Sequence, residues 1–228
     1  MQQVSAPGAA PPPAGAAAGA TAEPQRRERK KRQTRDALVR AALTLFNAKG
    51  YEQTAVREIT DAVDVSERTF FRYFANKEDL VLSFIGDSTD AFIRELAARP
   101  PAEAPFTALT NAFRTSFRVL TGDDAQPGEE SPYLLVIKLI DTTPSLLAAL
   151  LRYTHDRDDE IIRVVAARAG VDPGTDRRPR LAVLAYGALT VAATREWVTG
   201  GDDSADAMLA AFDAYAEQLR PAVFERWT

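Results

Sequence analysis

Between Ser66 and Lys77 the chain reads SERTFFRYFANK, and its side chains divide by chemistry. Arg68 and Arg72 carry planar guanidinium groups that can donate paired hydrogen bonds to the acceptors on guanine, or neutralise a phosphate. Glu67, at the start of the segment, can accept from the exocyclic amine of cytosine and is a poor choice for a surface that only holds phosphates. Thr69 and Tyr73 offer hydroxyls suited to phosphate oxygens. Lys77 stands where a further helix begins, a position suited to clamping a phosphate. Phe70 and Phe74, four residues apart, belong on the opposite face of the same helix. A polar face over an apolar one is also what an ordinary solvated helix presents, so the surrounding elements decide what this one does.

Those elements are short helices with a tight turn between them. Val56, Ile59 and Val63 recur at helical spacing and line one face of a first helix. The pattern stops at Asp64, a residue type that tolerates the left-handed conformation of a sharp turn. Ser66 can then cap a second helix, with Val65 before it and Phe70 four residues after it placed as a hydrophobic staple. Phe70 and Phe74 face back onto the first helix. Helix, short turn, helix, with polar and basic groups on the outer face of the second, is the helix-turn-helix arrangement.

In this register the chain resembles the TetR family of one-component transcriptional regulators. Gly50, Tyr51, Thr54, Val56, Ile59, Ala62, Val65, Ser66, Thr69, Phe70, Tyr73, Phe74, Lys77, Glu78 and Leu80 stand at the spacing of that family's DNA-reading segment. Two positions depart from it. Asp64 replaces the turn glycine, and Phe71 replaces a more common tyrosine and so has no hydroxyl to offer a phosphate. The resemblance implies that positions 67, 68 and 72 read bases while 69, 73 and 77 hold the backbone. With Arg35, at the end of a basic run, and Thr54, these make up the candidate contacts to double-stranded DNA.

Charge is distributed accordingly. The 228-residue chain has net charge −4, yet residues 1–80 carry 13 basic and 10 acidic side chains while residues 81–228 carry 15 and 22. A basic end on an acidic body is the asymmetry expected when one end meets phosphate. From Arg26 to Arg35 seven basic residues stand against the single acid Glu28. Such a run is either a solvated, disordered arm or one that follows the phosphate backbone or enters the minor groove, and its place beside a helix-turn-helix favours the second. Residues 1–24, rich in Ala, Pro and Gly, read as a disordered tail. They lack the charged and strongly apolar regions of a secretory signal. The absence of cysteine excludes disulfides, thiolate catalysis and Cys-based zinc sites. No apolar run approaches the ~20 residues of a membrane helix, and the expected location is the cytoplasm.

The remaining pattern is helical throughout, with no strand-period segment. A helix from about Arg35 to Lys49, capped by Thr34 and ended by Gly50, precedes the helix-turn-helix. Asn76, with Asp79, caps a fourth helix running to about Ala98, the natural mechanical link between a DNA-reading head (25–80) and a larger body (81–228). Further helices are expected along the 3/4-spaced stripe Phe106, Leu109, Phe113, Phe117 and Leu120, around Tyr133–Ile140, from Pro144 to Gly170, over 180–199 and from about Ser204 to Arg220. On the long one after Pro144, Leu147, Leu151, Thr154, Asp158, Ile161 and Val165 share a face. The expected architecture is all-α with about nine helices: an N-terminal three-helix head and a C-terminal helical domain for ligand binding and dimerisation.

In the body, the clues to a small-molecule effector site are polar residues that interrupt apolar stripes. Thr154 and Asp158 do so in the long helix, Lys138 sits in a nearly all-apolar one, and Arg195 lies near Trp197. Each buried charge needs a partner, either a ligand or another side chain, and Asp141 is the nearest in sequence to Lys138. Phe113, Phe117 and Tyr133 could line an apolar cavity or simply pack in the core. His155 and Asp159 share a helix face, but a charged, solvated surface accounts for them, and no metal or cofactor is expected. Nothing resembles a nucleophile with its base, a glycine-rich phosphate loop or a two-histidine metal motif, so no enzymatic activity is expected. The family resemblance implies a homodimeric, ligand-responsive regulator, most simply a repressor released from a palindromic operator by a hydrophobic effector. An activator, or a regulator that needs no ligand, would have the same fold. The rival from another class is a helical binding module or enzyme whose basic head is only an electrostatic tether.

Overall fold

The computed structural model describes residues 17–122 and 131–224, with the side chains of 17–25, 221 and 224 excepted. These residues form nine α-helices and no strand. The helices are α1 (Ala17–Lys49), α2 (Val56–Asp61), α3 (Glu67–Phe71), α4 (Lys77–Ala98), α5 (Pro105–Thr121), α6 (Pro132–Thr142), α7 (Pro144–Ala169), α8 (Arg178–Gly200) and α9 (Ala205–Phe224).

α1 begins far upstream of the expected start. It includes residues 17–24, which composition assigns to a disordered tail, and the whole basic run; residues 1–16 lie outside the described residues. Thr34 is consequently inside the helix, where its hydroxyl donates to the carbonyl of Lys30 at 3.0 Å instead of capping. The physical reason is propensity. Alanine, arginine, lysine, glutamine and glutamate are the strongest helix formers, so a helix nucleated by the packed stretch after Arg35 propagates into the run before it.

Two hydrophobic clusters organise the fold. The first joins Leu38, Ala42 and Phe46 of α1 to Ile59, Phe70, Phe74, Leu80 and Val81, and also takes in Val136 and Ile140 of α6 and Leu146 of α7. The second fills the body, from Phe92 and Leu96 of α4 through α5 and α7 to α8 and α9. The long helix α4 thus leaves one core and enters the other between Val81 and Phe92. α7 buries Leu146, Ala149, Ile161, Ile162, Val165 and Ala166, while Leu151 is exposed. The face expected through Leu147, Leu151, Thr154 and Asp158 is therefore displaced by about one position in the first turns. Leu146–Leu147 and Leu150–Leu151 are doublets, and periodicity alone does not choose between the members of a doublet.

Candidate nucleic-acid interface

The turn before α3 closes as its chemistry dictates. Asp64 has φ 54°, the one left-handed non-glycine residue among those described. The amide of Val65 donates back to the carbonyl of Thr60 at 3.1 Å. Ser66 is extended and caps α3, its Oγ accepting from the Thr69 amide at 3.2 Å. At the entry to α2, the Glu58 carboxylate accepts from the Ala55 amide at 2.8 Å and pairs with Lys49. The Asn76 carboxamide accepts from the Asp79 amide at 2.7 Å, while the Asp79 carboxylate accepts from the amide of Ala75. The starts of α2, α3 and α4 thus each have a side-chain partner, which helps to hold even the five-residue α3 in place.

With Phe70 and Phe74 fully buried, the other side of α3 is turned to solvent. Glu67 and Arg68 are exposed and have no hydrogen-bond or ion-pair partner among the described residues. Arg72 is exposed too, its guanidinium 5.0 Å over the Tyr73 ring with Nη2 donating to the Tyr73 hydroxyl at 3.3 Å. Thr69 and Tyr73 are half-buried at the edges, and the Thr69 hydroxyl lies 3.0 Å from that of Ser66. Five of the eight candidate residues, Glu67, Arg68, Thr69, Arg72 and Tyr73, therefore share one surface.

The other three do not. Lys77 turns inward, donating to the carbonyls of Tyr51 at 2.7 Å and Thr54 at 2.8 Å, with its ammonium 4.5 Å over the Tyr51 ring. Burial holds its pKa below the ordinary lysine value. Its place at a helix start suits a phosphate clamp, but the ammonium is occupied in tying α4 to the segment before α2. Thr54 is buried, with its hydroxyl on the carbonyl of Gly50 at 2.8 Å, and is a structural residue. Arg35 donates to Asp87 of α4 at 3.1 Å and lies 5.7 Å over the Phe74 ring, so its guanidinium braces α1 against α4. One surface residue is absent from the candidates: Phe71 is 54% exposed and, with Arg68, Thr69 and Arg72, lines a shallow depression. The only sequence signal for it is the missing tyrosine hydroxyl.

The candidate effector residues separate into three groups. Phe113, Phe117 and Tyr133 join Phe92, Tyr186 and Phe212 in one aromatic cluster, with ring centroids as close as 4.3 Å for Phe113–Phe212 and Phe92 stacked on Tyr186 at 5.1 Å. Burial raises the pKa of the Tyr133 phenol, which is hydrogen-bonded to Ser88. Lys138 pairs with Asp203 at 2.6 Å, not with Asp141, and lies 5.2 Å over the Trp197 ring. Asp141 instead faces Arg195 at 3.9 Å. Thr154 and Asp158 stand on the flank of α7; the Thr154 hydroxyl is satisfied by the carbonyl of Leu151, and burial raises the pKa of Asp158. Trp197 is buried in the same core as Phe113 and Phe117, with Tyr133 packed against it. Among the described residues, no group of carboxylates and imidazoles could hold a metal, and no single helix is long and apolar enough to cross a membrane.

Residues 38–84 match the family model described as bacterial regulatory proteins of the tetR family, and residues 103–220 match that described as the MftR C-terminal domain. The chain is 39% identical over 199 residues to the HTH-type transcriptional regulator TcmR of Streptomyces glaucescens, spanning 87% of this chain and 88% of that protein. It is 31% identical over 93 residues to the HTH-type transcriptional repressor KstR2 of Mycolicibacterium smegmatis, spanning 40% of this chain and 45% of that one. The same fold occurs in a TetR-family transcriptional regulator from Mesorhizobium loti, at 20% identity and a TM-score of 0.52, over 84% of this chain and 97% of that one. A capped helix-turn-helix at one end, a helical body at the other and these matches along both lead to one assignment: the chain belongs to the TetR family of helix-turn-helix transcriptional regulators, and is not an enzyme.

Proposed function

We propose that this regulator is a cytoplasmic homodimeric repressor that reads a palindromic operator and leaves it when a small hydrophobic effector enters the body. The observation that carries the DNA-reading half is the exposure of Glu67 and Arg68 on α3 and of Arg72 at its C-terminal end, on the side opposite the buried Phe70 and Phe74. Arg68 and Arg72 have the reach and fork geometry for guanine, and Glu67 adds discrimination in favour of cytosine. α1 supports a second, sequence-independent contribution. Its basic stretch is helical, and a helix ~10–12 Å across does not enter a minor groove ~6 Å wide, so it follows the phosphate backbone.

A dimer is supported by α8, where Leu181, Leu184 and Val191 are exposed along one face with Ala188 between them. An apolar stripe of this kind is the surface a second copy would cover, and two heads about one DNA turn (~34 Å) apart would then meet two half-sites. The aromatic cluster of Phe92, Phe113, Phe117, Tyr133, Tyr186 and Phe212 is the part of the body an apolar effector would enter, by displacing ring–ring contacts. By linkage, operator DNA must weaken effector binding by the same factor as effector weakens operator binding.

The test is selection of bound duplexes from a random pool, run with the wild-type chain and an Arg68→Ala/Arg72→Ala variant at two salt concentrations. Enrichment of a palindrome by the wild type and its loss in the variant are expected. Salt-sensitive binding with no enriched sequence in either protein would reduce the head to an electrostatic tether.

A further inference from the structure

Phe71 is the only large hydrophobic side chain exposed in residues 26–80; the others so exposed among the described residues all lie in the body. It is not a loose end of the core. Its ring meets Phe70 edge-on, with centroids 5.4 Å apart and planes at 83°, which fixes the phenyl against the buried ring and leaves it projecting from α3. On a helix, residues three and four apart are neighbours, so Phe71 lies beside Arg68, and Arg72 follows it directly. These three and Thr69 line one depression, with the Arg72 guanidinium turned toward Tyr73.

An exposed phenyl in a depression that Arg68 and Arg72 also line has few partners on a DNA surface. It cannot hydrogen-bond, so it neither holds a phosphate nor recognises a donor or acceptor on a base edge. The edges of the major groove carry one apolar group, the C5-methyl of thymine. Contact with it would cover both the phenyl and the methyl from water, whereas the purine edges would leave the phenyl against polar atoms and cytosine offers only a C5–H.

We propose that Phe71 is a specificity-determining residue that packs on the C5-methyl group of one thymine in each half-site, next to a guanine contacted by Arg68 or Arg72. This rests on the reading that α3 enters the major groove. The loss of the tyrosine hydroxyl, a departure from the usual family residue, is then a change of function: a polar group at this position is exchanged for a purely apolar reader.

The test replaces single thymines of the selected operator by deoxyuridine, which removes the methyl and leaves every hydrogen-bonding group in place. Affinity is measured for the wild-type chain, Phe71→Ala and Phe71→Leu. One thymine per half-site should lose about fourfold in wild-type affinity on replacement, and about fifteenfold when both half-sites are changed. That loss should vanish in Phe71→Ala and survive in part in Phe71→Leu. Because the probe alters the DNA, indifference of the wild type to every deoxyuridine overturns the role of Phe71 without any variant, and Phe71→Leu keeps the comparison open should Phe71→Ala fold poorly. Specific binding that is indifferent to every deoxyuridine, a selected site without thymine, or a methyl effect of equal size in Phe71→Ala would overturn the role of Phe71 while leaving operator reading intact. Failure to select any sequence would overturn both.

Discussion

Lys77 offers the sharpest contrast between two roles for one side chain. As a phosphate clamp it would contribute to DNA affinity and little to stability. As placed in the structure it does the reverse, because its ammonium donates to the carbonyls of Tyr51 and Thr54, and its charge lies over the Tyr51 ring. Lys77→Met keeps most of the aliphatic stem and removes the ammonium. The Tyr51 carbonyl retains the Thr54 amide at 3.3 Å, but the Thr54 carbonyl is left without its donor. Hydrogen bonds to a charged group are worth about 1.5–3 kcal/mol and a partly exposed cation–π interaction about 0.5–1 kcal/mol. Against this stands the relief of burying a charge, the same burial that lowers the lysine pKa. A net destabilisation of about 2 kcal/mol is the expected balance, equivalent to a ~30-fold fall in protection from hydrogen exchange at the α2 and α3 amides. Those amides belong to the helices that follow the segment Lys77 ties down. The salt slope of DNA binding should be unchanged. A variant with full protection, whose slope of log affinity against log salt drops by about 0.9, would refute the reasoning and restore Lys77 as a phosphate-binding group.

Three further outcomes follow from single features of the head. Asp64→Gly should raise stability by about 0.5–1 kcal/mol, since glycine adopts a positive φ without the steric cost of a side chain, and Asp64→Val should lower it; urea midpoints decide. Burial, helped by the charges of Glu78 and Glu52, pushes the Tyr51 phenol up to about 12. The unfolded chain therefore releases this proton first, so the Tyr51 contribution is intact below pH ~10 and disappears as pH rises to about 12; the decline should be shallower in Tyr51→Phe, as followed by tyrosinate absorbance and exchange. Deleting residues 1–32 should weaken DNA binding and reduce the salt slope by about 0.9 for each phosphate no longer neutralised, with the selected sequence unchanged; a new preferred sequence at equal affinity would sink the role given to basic α1.

What is legible in the sequence is local chemistry. The Ser66 cap, the left-handed Asp64 and the inward Phe70 and Phe74 each depend on residues within one or two turns, and each is found where spacing puts it. What stays obscure depends on distant partners or on ties. Asp141 is the acid nearest to Lys138 along the helix, yet Lys138 is bound by Asp203 from the turn between α8 and α9. Lys77 and Thr54 match the family pattern as letters, but their side chains are held by carbonyls that only the folded turn brings near. The phase of α7 hangs on leucine doublets. In α1 composition and propensity point opposite ways, and an anchored helix lets propensity win.

The division into head and body is the point on which fold and function meet. Reading α4 as the mechanical link treats the head as a unit joined to the body by one helix. The first core says otherwise, because Val136 and Ile140 of α6 and Leu146 of α7 are all 0–2% exposed within it. Each such side chain contributes about 1.5–3 kcal/mol of burial, so the three together exceed the 1–3 kcal/mol typical of allosteric coupling. An effector that shifts α6 by even a fraction of this packing energy would therefore alter the support behind the recognition helix, with no need to act through α4 alone. Ile140→Ala tests the shared core without any effector. It should cost about 2–5 kcal/mol and lower the protection of the α2 and α3 amides along with those of α6. If α2 and α3 keep their protection while α6 becomes unprotected, the head is an independent unit and α4 carries the signal alone.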